Sequence, residues 1–316
     1  MTVPLTTDFE PVKFAKYVYD AEGHPEQIVW DVSSIENLIR CSKYYQYNNL
    51  KGMRLSLPPT ATYFGSAVHH GFEVLDTVRF YGGKVDEAVE QAVDTILTEY
   101  GEGLRLSTDN ARSLQPALRA VVWRAEEFWD DPLETVAMPD GKPALEVRFE
   151  VPLAFIDQPY RLSGRIDKMV EHNGDLYIVD TKTTKKVLNS WFFDGYMPST
   201  QIYGYMWVCR EILKLPIRGF IIDAVQTMVE STRFGRATFD VTPEQIDEWK
   251  STVKDGFQRL VEYKNQQNYP HNYASCGNYG GCVYRKVCAA PEWMRPTYIE
   301  DSYKCTTHFS LETDNE

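Results

Sequence analysis

The chain has 316 residues, of which 43% are hydrophobic and 25% charged, and a formal net charge of −12 at pH 7. This composition is typical of a globular protein, and no apolar run reaches the length of a membrane span. The acidic charge argues against broad, nonspecific binding of nucleic acid, although it allows a local basic channel or phosphate contacts through a metal. The N-terminus lacks the basic and apolar regions of a signal peptide, so we expect a cytoplasmic protein without membrane contact.

The N-terminal half of the chain is predicted to be mostly helical. The stretch DVSSIENLIRCSKYYQYNNL, residues 31–50, has Asp31 or a following serine as its N-cap and places Cys41 near the end of the helix. A second helix is predicted over GSAVHHGFEVLDTVRFY, and helical periodicity continues over residues 84–128. We interpret residues 76–140 as a helical insertion.

Strand-like sequence dominates from Ala144 onward. Three runs rich in β-branched and aromatic residues are followed by a helix, two more strands and a long helix. Because strands and helices do not alternate strictly, we expect an α/β or α+β domain with one mixed sheet flanked by helices. No linker is visible, so the prediction is a single domain over residues 1–316 with a cysteine-rich segment at 270–305.

The segment GRIDKMVEHNGDLYIVDTK predicts a β-hairpin, because the Asn-Gly pair at 173–174 is a strong signal for a two-residue turn. A two-residue turn sets the register of both strands. Asp167 then falls opposite Asp180, and Arg165 falls opposite Lys182. Directly opposed side chains have β-carbons about 5 Å apart, so two facing carboxylates are destabilising unless something compensates them.

A divalent cation would compensate Asp167 and Asp180, since hard cations such as Mg²⁺ prefer oxygen ligands. Lys182 would then lie beside the metal, where a phosphate oxygen could bind. The alternative is a surface hairpin whose acids pair with Arg165, Lys182 and Lys185. The hairpin alone does not decide between the two.

Four motifs occur in the order GSAVHHGFE, GRIDKM, VDTKTT and QIYGY. Together they resemble the motifs of PD-(D/E)XK nucleases of the RecB type, including phage and CRISPR-associated members. The resemblance spans roughly residues 33–288 and rests on the ordered set, since each motif alone is weak. It implies a restriction-endonuclease-like fold with a mixed central β-sheet flanked by helices, and a metal-dependent nuclease activity.

The resemblance also implies the catalytic residues. Asp167 and Asp180 match the acidic metal ligands of these enzymes. Lys182 matches the lysine that orients the attacking water or stabilises the pentavalent phosphate. His69 matches a metal-binding histidine four residues after a glycine, and only this spacing selects it over His70.

Five further residues are assigned around this set. The backbone carbonyl of Thr181 is a candidate extra metal ligand. Gln201 and Tyr205 match a Q-x-x-x-Y helix that lies against the active site and DNA in the family, and Arg165 is a candidate substrate contact. Glu146 is a possible extra acid.

The sequence CGNYGGCVYRKVC places Cys276, Cys282 and Cys288 at two equal gaps. Without a secretion signal, clustered cysteines are more typical of metal binding than of disulfides. In some RecB-type nucleases, one N-terminal cysteine joins a C-terminal trio to bind a 4Fe-4S cluster, and Cys41 stands where that ligand would be. The first gap of the trio is longer than the family pattern, so Cys305 competes as fourth ligand and zinc is the alternative metal.

The resulting hypothesis is a Mg²⁺- or Mn²⁺-dependent deoxyribonuclease. We expect an exonuclease that acts on single-stranded or end-processed DNA in recombination, repair or phage replication, in a bacterial or phage-infected cell and with a helicase or recombinase as partner. Aromatic residues near the site are expected to stack on unpaired bases, namely Trp191, Phe192, Tyr196 and Tyr203. Two alternatives stay open: a non-catalytic nucleic-acid-binding or assembly protein with a nuclease-like fold, and an iron–sulfur or zinc protein that senses redox state.

Overall fold

The computed structural model describes residues 16–19, 25–56 and 60–305. The chain groups into two compact units. Among the described residues, the first unit comprises 60–148 and 165–242, and the second comprises 16–19, 25–56, 149–164 and 243–305. The single domain over 1–316 and the boundaries of its insertion stay predictions.

The strands of the described residues range in length from two residues to twelve. They are β1 (Tyr17–Tyr19), β2 (Pro25–Gln27), β3 (Val29–Trp30), β4 (Met53–Leu55), β5 (Glu134–Thr135), β6 (Leu145–Pro152), β7 (Arg161–His172), β8 (Asp175–Thr184), β9 (Ile217–Thr227), β10 (Thr232–Asp240) and β11 (Tyr303–Cys305). The sequence predicted β6 to β10, whose patterns are long and apolar, and it missed the shorter strands.

The helices include three that exceed fourteen residues. They are α1 (Val32–Arg40), α2 (Ser42–Tyr45), α3 (Thr60–Phe80), α4 (Val85–Thr95), α5 (Gly101–Arg105), α6 (Leu114–Phe128), α7 (Ser190–Asp194), α8 (Thr200–Trp207), α9 (Pro243–Asn265), α10 (Arg285–Ala289) and α11 (Arg295–Ser302). Wide π-helical turns follow α2, α4 and α8 at Gln46–Leu50, Ile96–Tyr100 and Val208–Ile212. Of the helices that the structure describes, none has the length and apolar character needed to cross a membrane.

The sheet of the first unit is mixed, as predicted. Its strands lie in the order β10, β9, β8, β7, and β5 and β6 also pair with β7. β8 runs parallel to β9, whereas β7 with β8 and β9 with β10 are antiparallel pairs. β8 therefore lies inside the sheet with a strand on each side, which explains why an acid on it can be buried.

The predicted hairpin is confirmed. The turn residues Asn173 and Gly174 both have positive φ angles, 54° and 86°, as a two-residue turn between twisted strands requires. The pairing runs from His172 opposite Asp175 to Lys168 opposite Val179, which is the register derived from the sequence. Position 167 lies one residue beyond the last described pair.

The helices of residues 85–128 pack with α3 in one hydrophobic cluster, which supplies much of the core of the first unit. Gly71 of α3 allows this packing, because a β-carbon there would come within 2.6 Å of Val121 and 3.0 Å of Ile96. The cluster also includes Val225 of β9, so these helices cover one part of the sheet.

The second unit is held by aromatic residues. Trp30 stacks on Tyr45 with ring centroids 5.1 Å apart and meets Phe257 edge-on at 4.6 Å. α1 begins as predicted, since the Asp31 side chain accepts a hydrogen bond from the backbone of Ser34. The prediction of one helix over residues 31–50 is wrong, because Cys41 is extended (φ −166°, ψ 110°) and separates α1 from α2.

The C-terminal segment is also more regular than the sequence indicated. After α11 the chain forms β11, which pairs with β4. Tyr284 packs in a small cluster with Tyr47, Met53 and Tyr303, and its hydroxyl donates a 2.7 Å hydrogen bond to the Met53 carbonyl. Sequence periodicity does not predict such a segment, because its apolar residues are widely spaced and long-range aromatic contacts stabilise it.

Candidate active site and cysteine cavity

The centre of the candidate site lies on β8, where Asp180 and Lys182 project from the same face. Asp180 is 3% exposed, and its Oδ2 lies 2.6 Å from the Lys182 ammonium. Gln201 of α8 bridges the two, since its amide donates to Asp180 Oδ1 at 2.7 Å and its carbonyl accepts from Lys182 at 3.1 Å. A single glutamine thus fixes the positions of both charged groups.

Three potential metal ligands converge next to this pair. One ligand atom each from His69, Glu146 and Asp167 lies within 4.8 Å of the others. His69 Nε2 is 2.9 Å from Glu146 Oε1 and 3.7 Å from Asp167 Oδ2. The same Asp167 oxygen accepts a 2.9 Å hydrogen bond from the Thr181 backbone N–H, which helps to fix its position. The group draws on a helix and two strands, which sequence spacing alone does not bring together.

Glu146, the least certain of the predicted acids, is central to this group. Its backbone has a φ of +52°, in the left-handed region that non-glycine residues rarely adopt. Such strain costs on the order of 1–3 kcal/mol and is common where a side chain must be aimed at a functional site. Arg165 lies on its other side, with Nε 2.5 Å from Glu146 Oε2.

The acid–base properties of the three groups are coupled through their proximity. Burial, and then the nearby Asp180 carboxylate, raise the pKa of Asp167 to about 6. Burial alone would lower the pKa of His69, but the hydrogen bond to Glu146 and the charge of Asp167 outweigh it and raise that pKa. Burial would raise the pKa of Glu146, yet its contact with His69 lowers it. Excess negative charge therefore accumulates where a cation would bind.

The residues fit a divalent cation. The two carboxylates are ordinary ligands for Mg²⁺ or Mn²⁺, and the imidazole would complete one side of the site. Both Glu146 oxygens and Asp180 Oδ2 are buried, and their neighbours among the described residues are the cationic side chains of His69, Arg165 and Lys182. Buried carboxylate oxygens need such positive charge, and a divalent cation would supply more of it.

The remaining predicted residues lie around this centre. His70 is not part of the ligand group; it pairs with Glu99 at 3.0 Å and meets the Tyr100 ring edge-on. This geometry separates it from His69, which spacing alone could not do. Tyr205 is 6% exposed, and a hydrogen bond with the Arg165 backbone supports it. DNA contacts by Tyr205, Gln201 and Arg165 stay predictions.

Sequence reasoning did not find the cleft beside the ligands. This cavity of about 460 Å³ borders His69, Glu146 and Arg165 and is lined further by Ser66, His70, Glu73, Glu99, Tyr100 and Arg148. Only Glu73 carried a signal, since it lies four residues after His69 on the same helix. Glu99 and Tyr100 lie in a wide π-helical turn that no periodicity predicts.

A second cavity, of about 170 Å³, lies in the second unit and is lined by Cys41, Cys276, Cys282 and Cys288. The break between α1 and α2 places Cys41 there, and its sulfur accepts a 3.4 Å hydrogen bond from the Asn272 backbone. Burial, and then the other three thiols, raise the pKa of Cys288 to about 11. The four cysteines that the resemblance selected therefore share one cavity.

Cys305 stands apart from this group. It is exposed on β11 and is not among the described residues that line the cavity. Cys209 is fully buried in the π-helical turn that follows α8. Burial raises the pKa of its thiol to about 12, as for a small apolar side chain.

Comparison with known proteins agrees with this geometry. A family model described as the PD-(D/E)XK nuclease superfamily matches residues 30–289. The match covers most of the chain, so the chain belongs to the PD-(D/E)XK nuclease superfamily. Its mixed α/β fold, with a central sheet flanked by helices, is consistent with the restriction-endonuclease-like fold of that superfamily.

Other comparisons add little. A search of curated protein sequences found no match. A protein from Eubacterium rectale described as a "Putative exonuclease" is 17% identical, with a TM-score of 0.47 over 84% of this chain and 92% of that one. SSO0001 is 15% identical, with a TM-score of 0.34 over 84% of this chain and 87% of that one. Both scores are below 0.5, so the assignment rests on the family model.

The raised pKa of Asp167 makes the effect of metal on stability pH-dependent. In metal-free protein, folding stabilises the protonated carboxyl, so this contribution is full below about pH 4 and is lost as pH rises through about 6. A bound cation stabilises the ionised form of Asp167 instead. We therefore expect Mg²⁺ or Mn²⁺ to raise Tm more at pH 7.5 than at pH 5, as measured by thermal unfolding with and without EDTA.

The control for this experiment is Asp167→Asn, which removes the titrating group while keeping its size. In that variant the metal-induced gain in Tm should be small at both pH values. Equal gains at pH 5 and pH 7.5 in the wild-type protein would contradict the assignment of Asp167 as a metal ligand.

Proposed function

We propose that the protein is a Mg²⁺- or Mn²⁺-dependent deoxyribonuclease that acts as an exonuclease on single-stranded DNA or DNA ends. Its place would be in recombination, repair or phage replication, alongside a helicase or recombinase. The observation that carries the nuclease proposal is the convergence of His69, Glu146 and Asp167 beside the Asp180–Lys182 pair. The exonuclease mode and the strand preference come from the motif resemblance.

His69, Glu146 and Asp167 would hold the cation, with Asp180 and the Thr181 carbonyl as further candidate ligands. When bound, the cation supplies Lewis acidity toward a phosphoryl oxygen and lowers the pKa of water. Lys182 lies beside the ligand group and provides a positive charge where negative charge develops on the phosphate. Burial tends to lower the pKa of Lys182, but the Asp180 and Asp167 charges raise it, which keeps the ammonium protonated.

Cleavage of end-labelled linear DNA tests this proposal. Single- and double-stranded substrates of the same sequence are incubated with Mg²⁺, Mn²⁺ or EDTA. We expect metal-dependent products that shorten progressively from one end, with faster cleavage of the single strand. Internal cuts would replace the exonuclease proposal with an endonuclease. Binding without cleavage under any divalent metal would favour the non-catalytic nucleic-acid-binding alternative.

We also propose that Cys41, Cys276, Cys282 and Cys288 bind a 4Fe-4S cluster. Their chemistry fits, because such clusters take four cysteine thiolates and one ligand can be remote in sequence. The support from the structure is that all four line one cavity. Zinc in a four-cysteine site is the alternative, and it would make the cavity a structural metal site.

Replacement of the cysteines separates the candidate ligand sets. We expect Cys41→Ser and Cys282→Ser to lose most of the bound metal, because a missing thiolate leaves the group under-coordinated. Cys305→Ser and Cys209→Ser should keep it, as matched controls outside the cavity. Metal analysis with absorption near 400 nm measures the outcome and distinguishes iron from zinc. Metal loss in Cys305→Ser would instead place Cys305 in the ligand set.

A further inference from the structure

A loop between β8 and α8 begins and ends at the candidate active site. Lys182 precedes it and Gln201 follows it, and the side chains of these two residues are 3.1 Å apart. The loop therefore closes on the site in the manner of a compact surface loop, and Trp191 lies near its middle.

This loop is anchored by its own aromatic and apolar side chains. Leu188 and Phe193 pack against Gly235 of β10, where an added β-carbon would come within 3.2 Å and 3.3 Å of them. Phe192 meets Tyr196 edge-on with ring centroids 5.4 Å apart. The Asn189 side chain caps α7 by accepting a hydrogen bond from the Phe192 backbone. These contacts hold α7 in a defined position.

Trp191 is the one aromatic of this group that stays outside the packing, with 84% of its surface exposed. Tyr203, another aromatic predicted to stack on bases, is 9% exposed and has little surface to offer. Tyr196 lies in the surroundings of Lys182, and its ring is the one that Phe192 meets edge-on. The part of the loop that carries the exposed indole ring therefore lies near the candidate active site.

Two lysines of the same loop add positive charge that favours an anionic ligand. Lys185 and Lys186 lie between Lys182 and α7, and both are exposed. Lys185 pairs with Asp109 at 2.8 Å, whereas Lys186 pairs with no carboxylate of the described residues. An exposed indole ring next to lysines is the combination that binds single-stranded nucleic acid, since the ring stacks on a base and the cations attract the phosphates.

We propose that Trp191 stacks on an unpaired base of the nucleic-acid strand whose phosphate lies at Lys182, and so determines the preference for single-stranded substrate. This inference rests on the proposed nuclease function and deepens it. In a duplex, bases are already paired and stacked on one another, so the indole ring gains little from them. In a single strand, by contrast, the indole ring can stack on a base in the position that a neighbouring base would otherwise take.

The test compares Trp191→Ala and Trp191→Phe with wild type on three substrates. These are an oligo-dT single strand of 16 nucleotides, a blunt duplex of equal length and the small diester bis(p-nitrophenyl) phosphate. We expect Trp191→Ala to raise KM for the single strand by about tenfold to a hundredfold, with a much smaller change in kcat. This loss should exceed the loss on the duplex and on the small diester by about tenfold. Trp191→Phe should recover most of it, because phenyl rings also stack.

Trp293→Ala is the matched control, since Trp293 is 78% exposed but lies in the second unit. It should change KM for the single strand by less than about twofold. An unchanged KM in Trp191→Ala, or an equal loss on all three substrates, would overturn the proposal. So would an equal loss in Trp293→Ala, which would show that any exposed tryptophan contributes.

Binding separates failure of this inference from failure of the nuclease function. Tryptophan fluorescence is titrated with the oligo-dT strand in the presence of Ca²⁺, in wild type and in Trp191→Phe. Stacking predicts quenching that is largely lost in Trp191→Phe. Trp191-dependent quenching without DNA cleavage would support stacking on Trp191 and reject the proposed nuclease function. Cleavage without Trp191-dependent quenching would reject stacking on Trp191 alone.

Discussion

Asp180→Asn should lower metal-dependent DNA cleavage by at least about a thousandfold while the protein remains folded. The substitution removes the negative charge that lies 2.6 Å from Lys182 and alters the acceptor that Gln201 holds. It therefore disturbs both the charge near the cation and the position of the lysine. Steady-state cleavage of end-labelled DNA measures the rate, and thermal unfolding measures whether the fold persists.

A matched control distinguishes loss of chemistry from loss of a buried ion pair. Asp76 pairs with the buried Lys168 at 2.7 Å, in a contact much like that of Asp180 with Lys182. Asp76→Asn should cost stability, on the order of 1–3 kcal/mol, since the lysine keeps only a neutral partner. Cleavage should stay within about threefold of wild type. Full activity in Asp180→Asn, or equal losses in both variants, would contradict the active-site assignment.

The sequence predicted the central strand of the site because local rules determine it. The Asn-Gly turn set the register of β7 and β8, and the alternation of side chains placed Asp180 and Lys182 on one face. These predictions need no contact from outside the hairpin. The facing of Asp167 and Asp180 also correctly anticipated an unfavourable concentration of charge, which appears in the raised pKa of Asp167.

Local sequence rules do not predict the role of Glu146 as they predict the hairpin. On a strand, alternation places an acid on one face or the other, but the +52° φ of Glu146 departs from regular strand geometry. The side chain therefore reaches His69, which belongs to a helix about seventy-seven residues earlier. No pattern within either element encodes that contact, which depends on how β6 and α3 pack in the first unit.

Compensation of the acids by a divalent cation stays a prediction. The alternative, a surface hairpin whose acids pair with Arg165, Lys182 and Lys185, is met only in part. Asp180 pairs with Lys182, but it is 3% exposed and therefore does not lie on the surface. Arg165 and Lys185 pair elsewhere, with Glu146 and Asp109 respectively. Asp167 is consequently left with His69 and a backbone N–H, and it is this residue whose ionisation is most costly.

A buried charge network in the first unit went undetected in the sequence. Asp223 of β9 is 2% exposed and lies 2.7 Å from Arg124 of α6 and 3.1 Å from Arg236 of β10. Arg236 also pairs with Asp131 at 2.5 Å. These residues are more than a hundred positions apart at the extremes, so spacing carries no signal. The pair of Arg124 with Asp223 joins α6, a helix of the predicted insertion, to β9 of the sheet.

Asp223→Ala should lower the free energy of unfolding by about 3–5 kcal/mol, because it leaves the buried Arg124 guanidinium without a carboxylate partner among the described residues, while Arg236 keeps only Asp131. Urea unfolding of wild type and variant measures the difference. The control is Asp240→Ala, since Asp240 is exposed and lies 4.0 Å from Arg218. Its effect should stay within about 0.5 kcal/mol.

The same network predicts how stability falls in acid. Burial alone would raise the pKa of Asp223, but the charges of Arg124 and Arg236 outweigh it and lower that pKa to about 2. Ionised Asp223 therefore contributes stability above about pH 4, and this contribution, on the order of 2 kcal/mol, is lost as pH falls toward 2. Asp223→Asn has no group to titrate there, so its unfolding free energy should fall less steeply between pH 4 and pH 2. Parallel pH profiles for wild type and variant would show that the two arginines do not depend on the Asp223 charge.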